Sequence, residues 1–207
     1  MKYKYTCIDE EEVLDIYKND PDFNEWFKIV KKILHSNEYQ KRRVFRHHEF
    51  ESVWNHSIKV SFKAFKFAKE HNLNTYNCAV AGLLHDFYTR AWQDSPELSM
   101  LEEKYREKFI NPRRLKLFEK HGFTHPIEAL YNSRTYFGNY LNKDIENAIV
   151  THMFPLSLFT SYKMPNNTTS LVIMYIDKKV SISSDKKVSM KKVLKYTGVV
   201  MSEKELN

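Results

Sequence analysis

The chain has 207 residues, 42% of them hydrophobic and 14% aromatic, with four glycines and six prolines; this is enough for one substantial core and too poor in turn-formers for a disordered, collagen-like or turn-dense all-β protein, so long helices are expected. Thirty-three Lys and Arg against 26 Asp and Glu leave a net charge of +7, a moderate positive field compatible with phosphate-bearing ligands but lacking the compact basic-aromatic motif of a nucleic-acid binder. Cys7 and Cys78 are far apart, which excludes a disulfide framework or a zinc knuckle, and no apolar run approaches the roughly 18 residues of a membrane span, so a cytoplasmic protein is expected.

From the N-terminus, Asp9 followed by Glu12 has the form of a capping box and opens a short helix through about Lys18, which Asn19-Asp20-Pro21 ends. Phe23, Trp26, Phe27, Val30, Ile33 and Leu34 recur at helical spacing and predict an amphipathic helix that buttresses the main domain. Gln40 to His48 is basic and aperiodic, an expected loop whose Arg46, His47 and His48 can reach a pocket mouth as phosphate contacts. A long helix is predicted from about Phe50 to His71, with Val53, Trp54, Val60, Ala64, Phe65 and Ala68 on its inner face. His56 lies at the edge of that stripe and should point inward. Asn74 can cap the next helix, whose apolar run from Cys78 to Leu84 leads into His85-Asp86.

Between Phe87 and Lys120 the pattern is weakest: Leu98, Leu101, Tyr105 and Phe109 suggest one amphipathic helix broken at Asn111-Pro112, an insert suited to a lid or specificity element. Thr124-His125-Pro126 has the form of a helix start with proline in the first turn, placing His125 at a helix N-terminus ahead of Ala129, Leu130 and Tyr136. A further helix from near Asn142 carries Ile145, Ala148 and Ile149 with His152 on the same face, until Phe154-Pro155 stops it. Over about Thr168 to Ser184, Asp177 stands in an apolar stripe of Leu171, Ile173, Met174, Ile176 and Val180. The organisation reads as an N-terminal helical extension over 1–44, a main domain over 45–185 and a Lys-rich helical tail over 186–207, without internal repeats.

His56, His85-Asp86, His152 and Asp177 therefore project inward from four predicted helices, with His125 at a helix start beside them. Any one alone reads as a hydrogen-bonded core residue. Together they are hard to bury, because an unpaired carboxylate or imidazole in the interior costs several kcal/mol, whereas imidazole nitrogen and carboxylate oxygen around a metal satisfy one another. A nitrogen and oxygen donor set without thiolate favours Fe, Mn, Zn, Co or Ni. Six such ligands suit one divalent ion, or two that share Asp86.

The ordered pattern His56, His85-Asp86, Asp177 carries the strings Asn55-His56-Ser57, Gly82-Leu83-Leu84-His85-Asp86-Phe87, His121-Gly122-Phe123-Thr124-His125-Pro126 and Thr151-His152-Met153-Phe154-Pro155-Leu156. It resembles the HD superfamily of metal-dependent phosphohydrolases over roughly residues 45 to 185, most closely a bacterial subgroup of unassigned substrate. The resemblance implies an all-α HD-domain helical bundle with a short N-terminal extension. It implies that His56, His85, Asp86 and Asp177 hold one ion, and that His125, His152 and a bridging Asp86 oxygen hold a second. Asp86 would be the catalytic carboxylate, and a metal-activated water would hydrolyse a phosphoester or phosphoanhydride of a small molecule such as a nucleotide or phosphomonoester. Many HD phosphohydrolases carry a lysine soon after the doublet; here Phe87-Tyr88-Thr89-Arg90 follows. Arg90 is the substitute candidate for phosphate, through its bidentate fork, alongside His48 and His121, the last of which reads equally as a helix-end cap. A non-catalytic nucleotide- or RNA-binding regulatory HD module and a di-iron oxygenase remain as alternatives. A homodimer is compatible with all three readings, and no membrane partner is expected.

Overall fold

Polar N-caps and apolar periodicity account for most helix starts among the described residues. The computed structural model describes residues 17–48, 51–88 and 121–182. Helix α1 (Phe23–Leu34) buries Phe23, Trp26, Val30, Ile33 and Leu34 along one face. Ser36 accepts from the Tyr39 amide and starts the one-turn α2 (Asn37–Gln40), which runs into a 3-10 turn over Lys41–Val44. Strands β1 (Arg46–His48) and β2 (Glu51–Ser52) pair antiparallel. Ser52 then caps α3 (Val53–Glu70), and Asn74 caps α4 (Thr75–Leu84). Helix α5 (His121–Phe137) leads through a 3-10 turn at Gly138–Tyr140 to α6 (Lys143–Thr151), where the Asn142 carboxamide accepts from the Asp144 and Ile145 amides. The short α7 (Leu158–Ser161) and the longer α8 (Thr168–Ile182) complete the described chain.

The architecture is an all-α bundle with α3 and α4 at its centre. Trp26 is fully buried, and its indole N–H donates to Ser61 Oγ at 2.9 Å while that hydroxyl donates to Ala79 O at 2.7 Å. One serine thus ties α1, α3 and α4 together, so the indole is buried without an orphaned donor. Tyr39 does the same for α2, donating to Leu83 O at 2.9 Å near the end of α4. The Lys66 and Lys69 ammonium groups meet Asp20, Asp22 and Glu25 across the α1–α3 surface, an exposed network that contributes little beside the apolar contact beneath it. No described helix is long and apolar enough to cross a membrane.

Several expectations change. The expected loop over 40–48 is a helical turn, a 3-10 turn and a β-strand, because pairing satisfies backbone groups that a loop would leave to solvent. The following helix opens at Val53 rather than near Phe50, since Ser52 takes the N-cap and accepts from the Asn55 amide at 3.1 Å; Phe50 itself lies outside the described residues. Helix α5 already includes His121, so Pro126 sits inside it and His125 is not at a helix N-terminus; the missing proline N–H falls opposite Gly122, in a half-buried turn. Tyr136 is half exposed while the next residue, Phe137, enters the core, and on α8 Leu171 is exposed while Val172 is buried. On α8 the helical phase is set by Val172, Ile173, Ile176, Asp177 and Val180, all on the buried stripe. The helices expected at Asp9–Lys18, within the 87–120 insert and over the 186–207 tail fall outside the described residues, apart from Tyr17 and Lys18 and from the buried Phe87 and Tyr88.

Candidate metal centre

From Asn77 onward helix α4 is buried on every side because that stretch is almost wholly apolar, and it crosses α3 at Gly82. A Cβ at Gly82 would stand 2.7 Å from Ser61 Cα and 3.0 Å from Ser61 N, so only glycine allows this approach. The closeness brings His85, one residue past the end of α4, beside His56 near the start of α3, with ring centroids 5.3 Å apart. His152 stands one residue past the end of α6 in the same way. Both histidines keep helical backbone angles, and each turns its Nδ1 back onto the carbonyl three residues earlier, His85 on Gly82 O at 2.8 Å and His152 on Ile149 O at 2.7 Å. His125, inside α5, places Nδ1 2.8 Å from His121 O. A carbonyl only accepts, so these three Nδ1 atoms are donors and their Nε2 atoms carry lone pairs.

Those lone pairs converge on Asp86. Its Oδ2 lies 3.5 Å from His85 Nε2 and 4.0 Å from His56 Nε2, while its Oδ1 lies 3.3 Å from His125 Nε2 and 3.5 Å from His152 Nε2. Asp177, from the middle of α8, sets Oδ1 3.0 Å from His56 Nε2 and 3.5 Å from His85 Nε2. All six side chains are buried. Two overlapping groups, His56 with His85 and Asp86, and Asp86 with His125 and His152, have the ligand-atom proximity needed to hold a metal ion.

Two observations test the fit of a cation. His85 Nε2 is buried with no hydrogen-bond donor, and the His125 and His152 Nε2 atoms face each other at 2.9 Å. Two lone pairs at that separation repel unless a proton or a metal ion lies between them, and a set of borderline imidazoles with hard carboxylates suits a divalent transition ion. The residues fit. Burial works against ionisation of Asp177, yet His56 and His85 beside it hold the carboxyl well below the usual carboxylate range. Burial also pulls His85 down, but Asp86 and Asp177 outweigh it and leave this imidazole above its ordinary value. His152 is dominated by burial and falls below its ordinary value despite Asp86, so it favours the neutral form that binds metal.

A model of the HD domain family matches residues 53–180, well over half of the chain and inclusive of all six centre residues. The chain belongs to the HD domain family. HD domains form a superfamily of metal-dependent phosphohydrolases that bind divalent ions, and the buried His and Asp cluster of this HD domain fits that chemistry. No curated protein and no solved structure matches the chain.

The three expected substrate contacts of the HD domain fare differently from its centre. His121 stacks on His125 with ring centroids 4.7 Å apart and accepts from it through its backbone carbonyl, so it orients a centre histidine. His48 lies on β1, but its side chain is outside the described residues, as is all of Arg90. Two neighbours lacked any periodic or motif signal: Tyr88, whose ring is 4.8 Å from His121 and 6.1 Å from His125, and Arg42, whose guanidinium carbon lies 3.8 Å from the Phe87 ring centroid. Asn132 steadies this corner by donating to Phe87 O at 3.0 Å.

Proposed function

We propose that this HD domain is a phosphohydrolase that cleaves a phosphoester or phosphoanhydride in a small molecule, a nucleotide or phosphomonoester being the substrate class. In this reading His56, His85, Asp86 and Asp177 hold one divalent ion, and His125, His152 and the second oxygen of Asp86 hold another. The observation that supports it is the division of the Asp86 carboxylate, one oxygen toward each histidine pair, the arrangement a bridging ligand requires. When bound, the ions would acidify a water and offset charge on the phosphoryl oxygens. The chain's own contribution is to hold the Nε2 lone pairs of His85, His125 and His152 toward the centre through backbone carbonyls, to keep Asp177 ionised and to exclude bulk water around Asp86.

The test is metal analysis of the purified protein combined with a turnover screen over phosphorylated metabolites, repeated with Asp86→Ala. Hydrolysis of at least one phosphoester, lost together with metal in the variant, is expected. Retention of full metal stoichiometry in Asp86→Ala, or the absence of any phosphoester turnover by metal-loaded protein, refutes the reading. Iron content with a mixed-valent paramagnetic signal and no phosphate release would favour an oxygenase instead.

A further inference from the structure

Arg42 is only 1% exposed, although it carries a permanent charge. Its Nη1 donates to Glu38 O and lies 3.3 Å from the Glu38 carboxylate. Its Nε and Nη2 are buried with no hydrogen-bond partner. Tyr88 is equally buried, and its hydroxyl also has no partner. The guanidinium is within electrostatic reach of Tyr88, and Glu128 is within reach of both. Two unreceived donors of Arg42 therefore lie by the Phe87 ring, and a third, the Tyr88 hydroxyl, belongs to a ring packed beside His121 and His125; Phe87 and Tyr88 directly follow Asp86. Interiors rarely leave such donors unmatched, and a forked guanidinium with a phenol is the complement of a tetrahedral oxyanion.

We infer that Arg42 and Tyr88 form a phosphate-oxygen subsite beside the His125–His152 half of the centre, receiving a phosphoryl oxygen of the substrate. This deepens the phosphohydrolase reading and rests on it. Arg42 precedes residue 53, where the family match begins, so the cation comes from this chain's N-terminal segment, and the two positions after the doublet hold Phe87 and Tyr88. Glu38, in ion-pair contact with the guanidinium, and Glu128 are the opposing charges here and temper the attraction. The cation–π contact with Phe87 positions the fork.

The experiment titrates metal-loaded full-length protein with inorganic phosphate by calorimetry, comparing wild type, Tyr88→Phe and Arg42→Lys, with metal content measured on each. Tyr88→Phe should bind phosphate about tenfold more weakly, the loss of one hydrogen bond to an anion, with unchanged metal content and no loss of thermal stability. A tyrosine that only fills space predicts equal phosphate affinity in the phenylalanine variant. Arg42→Lys should weaken phosphate binding by at least as much; if that variant fails to fold, Tyr88→Phe decides alone. Phosphate affinity within about twofold of wild type in Tyr88→Phe at equal metal content, or no measurable phosphate binding by the wild type, overturns the subsite. Hydrolysis that needs Asp86 while phosphate affinity ignores Tyr88 sinks only the subsite. Phosphate affinity that needs Tyr88 with no phosphoester hydrolysed sinks only the hydrolase reading.

Discussion

The His56–His85 half of the centre has an acid of its own in Asp177 and draws on α3, α4 and α8, whereas the His125–His152 half, among the described residues, has only its share of Asp86 and draws on α5 and α6. Two carboxylates against one means that an ion in the first half is better neutralised, and one in the second keeps more of its charge for an incoming ligand. The second half also adjoins Tyr88, whose buried hydroxyl has no partner. On the proposed function, the first half would retain its ion and the second would face the substrate.

The largest effect that can break this comparison comes from the shared acid. Asp86→Asn should empty both halves and reduce hydrolysis by more than the roughly 10- to 100-fold that changes to outer partners of a metal site cost; metal analysis and turnover are read together, and loss of one ion alone would mean that Asp86 does not bridge. Next, the paired variants Asp177→Asn and His125→Ala should each lower metal content by about one equivalent, and in the parent protein the ion of the His125 half should pass to a chelator more readily than that of the Asp177 half. Equal chelation rates for the two ions in wild-type protein would erase the distinction between the halves.

Gly82→Ala acts on the first half through the fold. The helix gains up to about 1 kcal/mol from alanine, but the new methyl meets α3 backbone at 2.7 Å, and such overpacking costs typically about 1–3 kcal/mol. Net destabilisation in urea is expected, with His85 displaced from His56; a variant at least as stable as wild type would show that α4 can shift freely.

The smallest effect is the response to pH. In the metal-free fold, His85 with its raised pKa contributes stability below the ordinary histidine range and loses it as pH rises through the raised folded value. His152, held neutral by burial, works the other way: the unfolded ring takes a proton first, so stability falls as pH drops below the ordinary histidine value. Asp177 contributes above the ordinary carboxylate range and loses its contribution only as pH falls through its depressed value. The two histidines partly cancel, but protons compete with metal for both. The rise in Tm on adding metal should therefore shrink from about pH 7.5 to about pH 5.5, and a rise that is constant over that window would place the ion elsewhere.

Local signals carried much of this protein. The α1 stripe from Phe23 to Leu34, the caps at Asn74 and Asn142, and the inward phase of His56 and Asp177 all follow from 3.6-residue periodicity and from side chains that bond their own backbone, both properties of a few neighbouring residues. His85-Asp86, His152 and Asp177 were legible for the same reason, since each ends or stands in an apolar stripe where burial is costly, whereas His125 was placed by its neighbours Thr124 and Pro126. Pro126 misled because proline favours a first helical turn without requiring one, and Tyr136 and Leu171 misled because a helical phase judged from hydrophobicity alone drifts by one residue. Only the tertiary structure decided that one Asp86 oxygen faces His56 and His85 and the other faces His125 and His152. It alone brought Arg42 over Phe87 and left Tyr88 with an unreceived hydroxyl. Those relations join residues tens of positions apart through the packing of α2, α4 and α5, and no local pattern records which buried donors will be left without an acceptor.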